Sequence, residues 1–223
     1  MTSSLVPTYA GIGSRKTPPR VLEFMDYLGW RLARNGYLLR SGAAPGADTA
    51  FETGCTRAQG QKEIWVPWSG FGDRCGPGYL PLDEHFTLAQ DLHPKWQCLS
   101  AAARKLHARN VGQILGADLA SPVDFVVCWT PDGCNQDSSR TAATGGTGTA
   151  IALASRHGIP VFNLQADGAY EQLVAHLLWM RDTIAARRAS APGYQRPALS
   201  VLPGLTSPPV VGAAGDASLV RAA

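Results

Sequence analysis

Three stretches constrain this chain most: "GIGSRK" at residues 11–16, "SGAAPGAD" at 41–48 and "GGTGT" at 145–149, each lying between an apolar run and a helical one. A short apolar run predicts a strand, and a glycine-, serine- and threonine-rich turn leading into a helix predicts a βα junction. The runs are "TYAGIGS", "YLLRSG", "KEIWVPW", "VDFVVCW" and "IPVFNL". Of these, "VDFVVCW" is apolar almost throughout, as a strand covered on both faces would be. Helices are expected over "TPPRVLEFMDYLGWRLARNG", with Thr17 as cap and Gly36 as stop, and over "GADTAFETGCTRAQG". A third, "SAAARKLHARNVGQILG", has Ser100 as cap, Gly116 as stop, and Ala103, Leu106, Asn110 and Ile114 on one face. Two more follow, one from "GGTGT" onward and one over "GAYEQLVAHLLWMRDTIAARR". Strands alternating with helices predict an α/β fold, a Rossmann-like three-layer sandwich with a mainly parallel sheet.

The expected domain covers residues 1–188, with an irregular insertion at about 69–97, and residues 189–223 read as a disordered tail rich in Pro, Ala, Ser and Gly. Four arginines and one aspartate follow Asp182, a surplus equal to the formal net charge of +3 for the whole chain, so the body is formally neutral. Neutrality gives little support to non-specific nucleic-acid binding, which needs a basic footprint. No apolar run approaches the roughly 20 residues that span a bilayer, and "MTSSLVPTYAGIG" lacks the basic start and apolar core of a secretory signal. Cys55, Cys75, Cys98, Cys128 and Cys134 show no framework spacing, which suits reduced thiols in a cytoplasmic protein without membrane contact. His85, His93, Cys75 and Cys98 match no ligand pattern, so no metal is expected. Cys128 reads as a small buried hydrophobe, while "WTPDGC" places Asp132 and Cys134 near the sheet edge.

In a parallel sheet, ligands sit beyond the carboxyl ends of the strands, and all three small-residue turns fall on that edge. The first turn has Lys16 where a dinucleotide fingerprint needs its third glycine, and Arg40 sits where strand two would end in an acid. No G-K-[ST] follows "GTGTA". Neither a dinucleotide cofactor nor a P-loop is indicated, and no cofactor is expected. An anion held by Ser14, Arg15, Thr147, Thr149 and their backbone amides remains.

Taken in order, "YAGIGSR", "LRSGAAPGAD", "LHARN", "DFVVCWT", "GGTGTAIALA" and "GIPVFNL" resemble the SLOG superfamily over roughly residues 8 to 165. That superfamily joins DprA (Smf) DNA-processing proteins, LOG phosphoribohydrolases and nucleotide-sensing domains, and the nearest likeness is to small DprA-like proteins of phages and prophages. The resemblance implies a Rossmann-like core and a nucleotide-binding edge. Two departures matter. The LOG motif P-G-G-x-G-T-x-x-E ends in a catalytic glutamate, whereas here Thr144 replaces the proline and Ala152 the glutamate. In DprA the second motif carries an arginine for single-stranded DNA, and here Pro45 stands in that place, although "ARN" at 108–110 is kept.

The reading that follows is binding of a nucleotide or nucleotide derivative, as a sensed or sequestered signal. Phosphate would rest on Gly11, Gly13, Ser14 and Arg15 and on Gly145, Gly146, Thr147, Gly148 and Thr149, with Ser41, Gly42 and Asn110 contributing. Asp48 would bond a ribose hydroxyl or base edge, and Arg109 would pair with phosphate. The second reading is a DprA-like single-stranded DNA binder and the third an N-glycosidic hydrolase; assembly into a homo-oligomer is compatible with each.

Overall fold

Tyr9 stands in register with Leu39 on one side and Phe125 on the other, so three neighbouring strands present large apolar side chains to one face of a sheet. The computed structural model describes residues 6–73, 76 and 78–189, and the sheet has five parallel strands in the order β3-β2-β1-β4-β5. These are β1 (Thr8–Gly11), β2 (Leu38–Ser41), β3 (Lys62–Ile64), β4 (Phe125–Cys128) and β5 (Val161–Asn163). Helices α1 (Pro19–Arg34) and α2 (Ala47–Arg57) connect the strands that step outward from β1. Helices α3 (Asp83–Leu92) and α4 (Ala101–Leu115) return the chain from β3 to β4, and α5 (Gly148–Arg156) leads on to β5. Parallel crossovers are right-handed. The two directions of travel therefore put α1 and α2 against one face and α4 and α5 against the other, the expected three-layer sandwich.

The alternation of β-strand side chains divides the core accordingly. Tyr9 lies against Phe51 and Phe125, with ring centroids 6.0 and 5.7 Å away. Ala10, Val126 and Cys128 face the other way and join Val111, Ile114 and Ile151 in a continuous cluster. Cys128 is the buried small hydrophobe expected of it, and burial pushes its thiol well up.

Two local expectations need correction. Thr17 does not cap α1: its hydroxyl donates to the Ser14 carbonyl at 2.7 Å, and Pro18 occupies the cap position with Pro19 in the first turn. Residues 69–97 are not merely irregular, because they contain α3, the short 3₁₀ turn Phe71–Asp73 and the start of a second, Trp96–Cys98. Asp83 and Glu84 favour the α3 N-terminus, and His85, Ala89 and Leu92 form its buried stripe at helical spacing. That stripe is one residue wide and is hidden between Pro81 and Pro94. Ser100 caps α4 as expected, accepting from the Ala103 N–H at 3.2 Å, and Gly116 ends it at φ +77°.

By internal contacts the chain falls into two units, residues 1–172 and 173–223. The sheet belongs to the first. In the second, residues 173–189 continue helix α6 (Ala169–Ala189), where Trp179 is exposed and its ring lies 5.6 Å from that of His176. Apart from its first residue the expected tail lies outside the described residues. No described helix is long and apolar enough to cross a membrane.

Candidate functional site

Chain connections leave β1 in opposite directions, toward β2 on one side and from β4 on the other, so a crevice opens between the carboxyl ends of β1 and β4. A cleft of about 580 Å³ occupies this switch point. Gly13–Lys16 form one wall, Ala44 and Asp48 part of the floor, α4 residues from Ala103 to Gln113 a second wall, and Thr144–Thr147 a third.

Beneath the cleft runs a buried polar chain. Asp48 is 3% exposed; its Oδ1 accepts from the Gly13 N–H at 3.1 Å and its Oδ2 from Arg109 Nη1 at 2.9 Å. The orientation of the Gln113 amide is assigned from its neighbours. Its oxygen then accepts from the Gly42 N–H (2.8 Å) and from Arg109 Nη1 (3.0 Å), while its nitrogen donates to Asn110 Oδ1 at 3.0 Å. Asn110 Nδ2 in turn donates to the Gly146 carbonyl at 2.8 Å. One residue of α2 and three of α4 thus tie together the turns after β1, after β2 and before α5. Burial raises the Asp48 carboxyl above its ordinary range, and it is opposed by the charge and hydrogen bond of Arg109 and by the Ala44 and Gly13 amides. Breaking a buried pair of this kind typically costs about 3–5 kcal/mol.

This network redistributes the expected roles. Both oxygens of Asp48 are engaged by the protein, so it acts as a brace where ribose recognition was expected. Arg109 is likewise paired with Asp48, but its Nε–H is sealed from solvent and bonds to nothing. Asn110 lines the cleft while holding the glycine turn. Ser41 lies behind the cleft, fully buried, and donates to the Gly11 carbonyl at 2.6 Å. At Gly11 a Cβ would come 2.5 Å from the Phe51 ring, and at Gly42 it would overlap the Arg109 guanidinium, so close packing requires both glycines. In the first turn the Gly13 N–H goes to Asp48, the Ser14 N–H to the Trp129 carbonyl (3.0 Å), and the Lys16 N–H to Ser14 Oγ (3.0 Å). Arg15 and Lys16 point outward at the cleft mouth, both exposed.

The third turn differs. Gly145 adopts φ +61°, and a Cβ at Gly145 or Gly146 would meet nothing within 4 Å. Thr147 lines the cleft just before Gly148 begins α5. Asp132 pins the approach to this turn by accepting from the hydroxyls of Thr130 (2.7 Å), Thr141 (2.6 Å) and Thr144 (2.5 Å). Partial burial works to raise its carboxyl, but the Thr141, Thr144 and Thr130 hydroxyls and the Cys134 N–H outweigh it and hold it at about 2. Ala152 is fully buried in the core, so the position of the LOG glutamate carries a packed methyl group.

Gln113 and His107 line the cleft and were not among the expected site residues. Continuing the Ala103–Leu106–Asn110 stripe by three residues reaches Gln113, whereas four reaches the core residue Ile114; the helical period allows both. His107 lines the cleft, and its Nδ1 lies 2.7 Å from Thr149 Oγ1, on α5. Burial, then His93 (rings 4.5 Å apart) and Arg109, push its imidazole down to about 4. His85, by contrast, is structural: Nδ1 accepts from the Leu82 N–H, so Nε2 donates to the Gly116 carbonyl at 3.1 Å. Among the described residues no cluster of three or more His, Cys, Asp or Glu side chains could hold a metal ion.

No family model matches the chain, and no curated protein matches it in sequence. Among solved structures it is similar to DNA processing protein A from Streptococcus pneumoniae, at 16% identity and a TM-score of 0.42, over 76% of this chain and 56% of that one. The chain therefore spans little more than half the length of that protein. It is also similar to DNA processing protein A from Helicobacter pylori, whose structure concerns single-stranded DNA binding, at 16% identity and a TM-score of 0.34, over 76% of this chain and 81% of that one.

Proposed function

We propose that the cleft binds a nucleotide or nucleotide derivative, with the phosphate at the Gly145–Thr149 helix start and beside Arg109. The observation that carries this reading is Arg109 on the cleft wall together with the Gly145–Thr147 turn, where a Cβ at Gly145 or Gly146 would meet nothing within 4 Å. A guanidinium presents N–H donors in a planar fork suited to the oxygens of a phosphate. The open backbone at Gly145 and Gly146 lets a ligand approach the first turn of α5, where the helix dipole favours negative charge. Arg15 and Lys16 at the mouth add attraction at longer range. A volume of about 580 Å³ also lies within the usual span of small-ligand sites, about 300–1,000 Å³. The test is native mass spectrometry for a co-purified nucleotide, followed by calorimetry with AMP, GMP, CMP and UMP.

The exposed pair Arg15 and Lys16 also favours a second reading, single-stranded DNA threading the same mouth. Fluorescence anisotropy with a labelled oligonucleotide separates the two. Under the nucleotide reading, protein lacking residues after Ala189 binds the oligonucleotide weakly at physiological salt. Full-length protein then shows only salt-sensitive binding, with a logarithmic slope of about −0.7 per phosphate contact. Tight binding by the shortened protein, without mononucleotide binding, would put the DNA reading first.

A further inference from the structure

His107 has a role that the phosphate-binding features do not absorb. On α4 it lies between Ala103 and Leu106, the apolar part of the cleft wall, and Asn110 and Gln113, the polar part. A nucleotide whose phosphate sits beside Arg109 and the glycine turn would bring its sugar or base to this junction.

Chemistry fixes which proton the ring carries. Thr149 is 1% exposed, and among the described residues its hydroxyl bonds only to His107 Nδ1, at 2.7 Å. A sealed hydroxyl hydrogen has to be donated somewhere, and Nδ1 is the acceptor at hand. Nδ1 therefore accepts and the ring proton sits on Nε2. Nε2 bonds to no described residue and is not among the atoms sealed without a partner. The groups facing the ring, His93 and Arg109, and its burial all oppose a second proton. The ring is thus a neutral donor.

Resting on the nucleotide reading above, we infer that His107, fixed by Thr149, is a specificity-determining residue that donates from Nε2 to an uncharged acceptor on the sugar or base of the ligand. Phosphate belongs to the Arg109 side of the cleft and the uncharged part to the His107 side. Calorimetry tests this with AMP, GMP, CMP, UMP and inorganic phosphate as probes. His107→Phe should weaken the tightest mononucleotide at least tenfold while inorganic phosphate changes less than twofold. His107→Gln, which keeps a donor near Nε2, should recover most of the loss.

Equal loss for mononucleotide and phosphate, or no loss in His107→Phe, overturns the assignment alone. If the wild type binds none of the four mononucleotides, the nucleotide reading falls and this assignment with it. Should His107→Phe fail to fold, imidazole ¹⁵N spectra of the wild type decide the matter. An uncharged ring protonated on Nε2 at pH 6.5, shifting toward a tautomer mixture in Thr149→Val, supports the donor role; an Nδ1-protonated or charged ring overturns it.

Discussion

The turn after β1 and the turn before α5 have similar compositions, two glycines and a serine within Gly11–Ser14 and three glycines with two threonines at Gly145–Thr149. They do different work. In the first, a Cβ at Gly11 would strike Phe51 and one at Gly13 would come 2.8 Å from Ala47, while three of the local amides are already bonded within the protein. In the second, Gly145 and Gly146 face open space. Glycine serves packing at one turn and access at the other. The Asp48–Arg109–Gln113–Asn110 chain lets the first hold the second in position.

The largest expected effect comes from cutting that chain. Arg109→Met leaves Asp48 buried without its counter-charge and should cost about 3–5 kcal/mol, read as a fall in Tm or in the denaturant midpoint. The pH dependence follows from Asp48, whose folded pKa is already raised by burial and would rise further without Arg109. A raised carboxyl pKa means that the folded state binds the extra proton, so stability is retained below the unfolded value of about 3.9 and lost as pH climbs through the folded value. The deficit of Arg109→Met should therefore be larger at pH 7 than at pH 4. A deficit that does not change with pH would show that Asp48 is not the group left stranded.

Gly11→Ala should destabilise by about 1–3 kcal/mol through overpacking against Phe51, whereas Gly146→Ala should move Tm by no more than about 1 °C. Equal losses at the two positions would erase the contrast. Gly146→Asp should leave the fold intact but weaken mononucleotide binding at least tenfold, because a carboxylate would replace phosphate at the helix start. Unchanged affinity in calorimetry would return this turn to a packing role. The smallest effect should come from removing everything after Ala189, whose Pro-, Ala-, Ser- and Gly-rich composition has little apolar area with which to offset ordering. Differential scanning calorimetry should find Tm nearly unchanged, and a loss of several degrees would show that those residues contribute to the fold.

What sequence alone determined was local. Apolar runs marked five strands, Ser100 and Gly116 bounded α4, and three small-residue turns marked the edge where the cleft lies, because caps, breakers and periodicity act over a few residues. Helix α3 was missed where flanking Gly and Pro outweighed a single buried stripe. Only the tertiary structure decided the strand order and the uses of the polar side chains. Asp48 and Arg109 are 61 positions apart, and His107 and Thr149 are 42. Nothing in either neighbourhood marks these as pairs. Each bond exists because crossovers from opposite sides of β1 bring α2, α4 and α5 to one edge of the sheet. There, a polar group removed from water must bond to whatever the fold has placed beside it.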